Sequence, residues 1–272
     1  MGELDGKVAI VTGAGRMRSI GRSTALALAR LGADVVVTGT GRDPATFPPD
    51  EREVGWRDVW SVQEEVQALG RRCLPLVVDV TDSAQVQGMV DRTLAELGRV
   101  DILVNNAAAP RGADRVPVVE LNEDLWRRVL EVKLTGTFLC SRAVARVLIR
   151  QGEGGRIVNL SSVAGKRGPA NASAYAAANG GVQLFTASLA RELAPYQVTV
   201  NCVCPGMIDT ARMDVIEWPR GNRWREQAGR IPLGRDASPD EVAGLIAWLC
   251  TPAANYMTGQ SVNFDGGMVM EH

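Results

Sequence analysis

Histidine is almost absent from this chain: its 272 residues include one, His272, at the last position. Imidazole-based metal sites, proton relays and Ser-His-Asp triads are therefore excluded as the main chemistry. Lysine is scarce as well. Of 30 basic residues only Lys7, Lys133 and Lys166 are lysines, and the other 27 are arginines, so a lysine at a chemically suggestive position stands out. No charge of one sign dominates. The formal net charge of −1 gives no field to favour nucleic acid or an anionic membrane surface, and the expected partner is a small molecule. No apolar run approaches about 18 residues, and the first residues lack a basic stretch leading into an apolar one; the cytoplasm is the expected compartment. The five cysteines, Cys73, Cys140, Cys202, Cys204 and Cys250, lie in apolar segments without metal-ligand spacing. They are expected as reduced core thiols, and no metal is expected.

The residues that are present read as one α/β domain over 1–272, since 46% hydrophobic composition is ample for a sizeable core. Residues 7–12 form a short apolar run, residues 23–31 carry a helical stripe, and residues 33–38 form a second buried strand. This βαβ opening predicts a doubly wound parallel sheet of the Rossmann type with helices on both faces. In the connecting loop, Gly13 and Gly15 let the backbone approach a pyrophosphate closely, and the following helix N-terminus faces that charge. At the end of the second strand stand Gly39, Thr40, Gly41 and Arg42. No carboxylate is available there for an adenosine ribose, whereas Arg16, Arg18 or Arg42 can meet a 2′-phosphate; NADP(H) is favoured over NAD(H). Residues 43–56, rich in proline and carrying Phe47 and Trp56, make a long connection. They either fold over the adenine end or pad an oligomer interface.

The stretch from Arg156 to Gly181 organises the chemistry. Residues 157–160 read as a buried strand and 172–193 as a packed helix, which puts Ser162 on a strand-to-helix loop and Tyr175 and Asn179 on one helical face. The thirteen-residue step from Ser162 to Tyr175 resembles the active site of the short-chain dehydrogenase/reductases, and the resemblance extends over residues 7–267. It implies Tyr175 as general acid/base and Ser162 as holder of the substrate oxygen. Two departures accompany it. The family's lysine four residues after tyrosine is here Asn179, and Lys133 stands where the family's tetrad asparagine falls, as if the two had changed places. A phenol with an unperturbed pKa of about 10 needs help to exchange protons near neutrality. Lys133 is expected to supply the charge and Asn179 a ribose contact, with Lys166 a second candidate cation.

The same resemblance assigns cofactor contacts to Gly13, Gly15, Arg16, Ser19, Ile20 and Gly21 in the first loop, with Arg42 at the adenosine. It adds Asp79 and Val80 beside the adenine, Asn106 and Ala107 after the fourth strand, and Pro205, Gly206, Ile208 and Thr210 in the turn over the nicotinamide. Residues 207–230 correspond to a substrate lid. Family members are commonly tetramers, so a homo-oligomer, tetramer or dimer, is expected. Ser19-Ile20-Gly21 also resembles the enoyl reductases of the same superfamily. Those enzymes place their lysine seven residues after the tyrosine, where this chain has Val182. Reduction of C=C or C=N bonds, or cofactor binding without turnover, are the alternatives to carbonyl chemistry.

Overall fold

Seven short runs rich in β-branched and small residues pair in parallel into one sheet, ordered β3-β2-β1-β4-β5-β6-β7. The computed structural model describes residues 2–271; His272 lies outside the described residues. In chain order the elements are β1 (Val8–Val11), α1 (Ile20–Arg30), β2 (Asp34–Gly39), α2 (Pro49–Glu53), α3 (Val59–Ala68), β3 (Cys73–Val77), α4 (Ser83–Leu97), β4 (Ile102–Asn105) and α5 (Glu123–Leu130). There follow α6 (Gly136–Gln151), β5 (Gly155–Leu160), α7 (Ala164–Arg167), α8 (Ser173–Leu193), β6 (Val198–Pro205), α9 (Asn222–Gly229), α10 (Pro239–Cys250) and β7 (Ser261–Phe264). The strand order reverses between β1 and β4, and in such sheets the crevice beyond the carboxyl ends at that point takes the ligand.

Alternation along each strand divides the core between two layers. Val8 and Ile10 of β1 point to the layer of α4, α6 and α8, where Met89, Val144, Leu148 and Leu189 are buried. Ala9 and Val11 point to the opposite layer, with Leu28 of α1, Val62 of α3 and Ile246 of α10. Both faces are thus covered, which is why the strands read as continuous apolar runs. A small separate cluster, including Met207, Ile216, Trp224 and Ile231, organises the segment after β6. Among the described residues no helix is long and apolar enough to cross a membrane.

Two local features bear on the site. Between α5 and α6 a π-helical turn spans Glu131–Thr135, and Lys133 lies at its middle. The widened turn leaves the Lys133 carbonyl to accept from the Thr137 hydroxyl at 2.7 Å. The cap of α4 is Asp82, accepting from the Ala84 and Gln85 amides, while Asp79 accepts from the Thr81 amide and hydroxyl one turn earlier.

A buried polar ladder ties the central strands to the helices above them. The Asn105 amide donates to Asn159 at 2.8 Å and to Ser141 at 2.9 Å, and Asn159 donates to Thr186 at 2.9 Å. Asn105 is therefore structural, and Asn106 alone of the pair reaches the cleft. Asn159→Ala removes one acceptor from the Asn105 amide and the donor to the Thr186 hydroxyl, leaving them only Ser141 and the Val182 carbonyl. It should lower unfolding free energy by about 2 kcal/mol in urea titration; a loss near zero would show that the ladder bears no such load.

Candidate active site

At the crevice beside β1 and β4 the glycine loop is shaped by contacts that leave no room for side chains. Gly13 has φ +67°, and a Cβ there would lie 2.8 Å from the Ala107 Cα. Asn106 draws the two sides together, donating to the Thr12 and Gly13 carbonyls at 2.9 Å each. Ser19 caps α1, its oxygen accepting from the Arg22 amide, so the free amides of that helix end face the cleft. Gly21 is a packing glycine behind the loop, where a Cβ would meet Asn106 Nδ2 at 2.6 Å. The adjoining cavity, about 410 Å³, is lined by Gly13, Gly15, Arg16, Ser19, Ile20, Arg42, Asp79, Val80, Asn106, Ala107 and Thr210. That lining and a glycine cradle fit a dinucleotide.

The long connection after β2 walls the adenosine end of this cavity. Glu51 of α2 is buried and accepts from the Met17 amide at 2.8 Å, and the Trp56 indole donates to the Gly15 carbonyl at 2.7 Å. Asp58, with a left-handed φ of 55° just ahead of α3, aims its carboxylate at the loop. Its Oδ1 lies 1.4 Å from where a Gly15 Cβ would stand and 2.7 Å from a Gly39 Cβ, and it is buried with no hydrogen-bond partner. The expectation of an adenosine end without a carboxylate is corrected: Asp58 arrives from another element. Arg42 is tied to Asp58 at 2.9 Å and Glu51 at 2.8 Å, and Arg18 to Asp50 and Asp214 at 2.6 Å each. Arg16 is the one of the three expected arginines without an ion pair among the described residues.

A second cavity continues from the first and brings Lys133, Ser161, Ser162 and Tyr175 together with Pro205, Gly206, Ile208 and Thr210. Tyr175 is the third residue of α8, and Ser162 follows β5, its hydroxyl positioned by the Pro205 carbonyl (3.4 Å) and the Ala164 amide (3.2 Å). Lys133 is only 4% exposed. Its ammonium reaches the Ala107 carbonyl at 3.5 Å and has no carboxylate partner among the described residues. Loss of hydration on burial pulls its pKa down to about 8, with Arg212 acting in the same direction and Cys202 opposing. Asn179 does not join the group. It is fully buried, and its amide turns back to the Tyr175 carbonyl at 2.8 Å, because a side chain this short cannot pass the tyrosine to reach the cleft. Its expected ribose contact is thereby corrected. Lys166 is likewise drawn elsewhere, to the Ser261 carbonyl at 2.9 Å and the Glu271 carboxylate.

Comparison with known proteins points to one family. A family profile described as Enoyl-(Acyl carrier protein) reductase matches residues 13–269. A 3-oxoacyl-[acyl-carrier-protein] reductase from Synechocystis is 38% identical, covering 99% of this chain and 100% of its own. A sorbitol dehydrogenase from Cereibacter sphaeroides is 33% identical, covering 97% and 98%. The chain belongs to the short-chain dehydrogenase/reductase family. Among solved structures of that family, acetoin dehydrogenase from Enterobacter cloacae superimposes with a TM-score of 0.78 at 38% identity, covering 96% of this chain and 94% of its own. The short-chain dehydrogenase/reductases are NAD(P)(H)-dependent oxidoreductases that transfer hydride to or from carbon bearing oxygen, and this chain is one of them.

Sequence reasoning missed Asp58, Arg111, Arg115 and Arg212. The Arg115 guanidinium sits 4.2 Å from the Tyr175 ring centroid and that of Arg212 4.9 Å. All four residues lie in connections without periodicity, where nothing local signals a ligand.

A depressed lysine pKa carries a stability consequence. Below about pH 8 the folded chain holds a buried ammonium that the unfolded chain hydrates freely, a penalty on the order of 3 kcal/mol. It shrinks as pH rises and is gone above about 10.4, where both states are neutral. Lys133→Met should therefore raise the melting temperature at pH 7, with the gain disappearing toward pH 10.5. An equal or lower melting temperature at pH 7 would mean that the ammonium is compensated.

Proposed function

We propose that this chain interconverts a ketone or aldehyde and its alcohol, with Tyr175 exchanging the proton and Ser162 holding the substrate oxygen. The observation that carries this reading is the placement of Tyr175, Ser162 and Lys133 in one cavity that opens into the glycine-loop cleft. A bound nicotinamide supplies or accepts the hydride there. Tyr175 moves the accompanying proton, and Lys133, rather than a lysine on its own helix, supplies the charge that stabilises the phenolate as that proton leaves. Pro205, Gly206, Ile208 and Thr210 close the wall opposite. Residues 207–230 act as the substrate cover, anchored by their own apolar cluster.

At the adenosine end the NADP(H) expectation gives way to NAD(H). Asp58 Oδ1 is a buried acceptor without a donor, suited to a ribose hydroxyl, and a 2′-phosphate there would face the Asp58 and Glu51 carboxylates. Arg16, the arginine there without an ion pair among the described residues, is a single cation against those two carboxylates. Carbonyl chemistry is preferred over C=C reduction because Ser19, the residue that suggested the latter, is accounted for as a helix cap. Leu184 on α8, 77% exposed, and Phe138 and Ile149 on α6 are exposed apolar side chains, which suits a homodimer or tetramer built on these helices. All five cysteines are buried and unpaired, in keeping with a reducing compartment such as the cytoplasm.

Nicotinamide absorbance with panels of ketones, alcohols, enones and imines tests the reaction; consumption with enones alone would replace the carbonyl reading, and consumption with none would leave a binding protein. Tyr175→Phe should lower turnover at least about hundredfold. Lys133→Met should lower it well over tenfold while the cofactor dissociation constant changes less, and near-normal turnover in that variant would remove the lysine from the mechanism. Fluorescence titration should show NADH binding at least about tenfold tighter than NADPH, with Asp58→Ser narrowing the gap. Tighter NADPH binding by the unaltered protein would refute the Asp58 assignment.

A further inference from the structure

Several arginines along the cleft come with their own acids. Arg18, Arg42 and Arg220 each meet at least two carboxylates within 4 Å. Three others do not. Arg111 and Arg115, from the loop after β4, and Arg212, from the turn after β6, gather at the substrate end around Tyr175. The Arg115 and Arg212 guanidiniums lie over the phenol ring, and Arg212 lines the same cavity as Ser162 and Lys133. Between them they have one acid, Asp114, 3.3 Å from Arg115. Arg212 donates to the Ala109 carbonyl at 3.2 Å, and Arg111 makes only a 3.0 Å contact to the Met213 sulfur.

Three cations against one carboxylate in a half-buried site repel each other and lose hydration. Burial first, and then their mutual repulsion, lower the pKa of both Arg111 and Arg115 below the usual guanidinium range. Among the described residues Asp114 is the one carboxylate that opposes this, and it offsets only part of the cost. An anion entering the cavity would offset the rest, and the planar guanidinium fork matches a carboxylate in two parallel hydrogen bonds. The two guanidiniums over the ring are within about 5 Å of its centre, so an anion held by them lies beside the phenol.

We infer that the substrate carries its own carboxylate, an oxo acid or the corresponding hydroxy acid, and that Arg111, Arg115 and Arg212 bind that carboxylate. This rests on the carbonyl-reduction reading for the reaction, though not for the anion site. Arg115 and Arg212 are specificity-determining residues, and the neutral ester of such an acid lacks the group they recognise.

Two measurements on the full chain keep the two readings apart. In the first, acetoacetate and its ethyl ester are compared with saturating cofactor; the acid should have at least a tenfold higher kcat/KM, and Arg115→Met and Arg212→Met should each bring the ratio to within about threefold. In the second, calorimetry with malonate, which cannot be reduced, should give binding that weakens at least tenfold in either variant, both melting as the unaltered protein does. An ester used as well as the acid, malonate binding absent or unchanged in the variants, or inorganic phosphate bound more tightly than malonate would each overturn the carboxylate site. Variant-sensitive malonate binding without turnover of either carbonyl compound would uphold the anion site and count against the carbonyl reading alone.

Discussion

A single ammonium held out of water, without an acid to balance it, is the constraint around which this active site is arranged. Burying a charge is costly unless it is paired, and Lys133 has one long contact to a backbone carbonyl. The fold keeps it in place through the π turn of residues 131–135, an irregularity that costs regular helix hydrogen bonds and re-aims the side chain into the cavity. Such a group is of little use to stability. In the proposed reaction its value lies in stabilising the phenolate of Tyr175, which lines the same cavity.

Charge is divided along the cleft rather than spread through it. At the adenosine end, Asp58 and Glu51 neutralise Arg42 and leave an acceptor facing the glycine loop. At the substrate end, Arg111, Arg115 and Arg212 outnumber Asp114 and surround the phenol. One end thus offers the acceptor that the proposed NAD(H) ribose contact requires, and the other the excess positive charge that the proposed carboxylate site requires. A molecule with nearly zero net charge can sustain both, because the two sets are carried on different connections of the same sheet. The relatives, named for a thioester, a polyol and a hydroxyketone, share the frame, and the connections differ in what they present.

The connection after β2 shows how much a long insertion can do without a core of its own. Its residues pack on the glycine loop through Glu51, Trp56 and Asp58, and the loop responds by requiring glycine at positions 15 and 39. The absence of side chains at Gly15 and Gly39 is therefore not only a concession to a nucleotide. It also makes room for the carboxylate of Asp58, which lies well downstream of both glycines.

Period and spacing alone made the sheet, its alternating layers and the glycine loop legible, because each depends on residues close in sequence, whereas the Ser162–Tyr175 step was legible through its resemblance to the family's active site. The scarcity of lysine likewise marked Lys133. Tertiary structure decided the rest. Asn179 shares a helical face with Tyr175, yet its short side chain turns back on its own helix; Arg42 lies beside the adenosine end, yet two distant carboxylates claim it. Asp58 and the three arginines at the phenol come from aperiodic connections, whose side chains acquire neighbours only when the chain folds. Local pattern specifies where a backbone runs, whereas the charge a ligand meets is a sum over segments far apart in sequence.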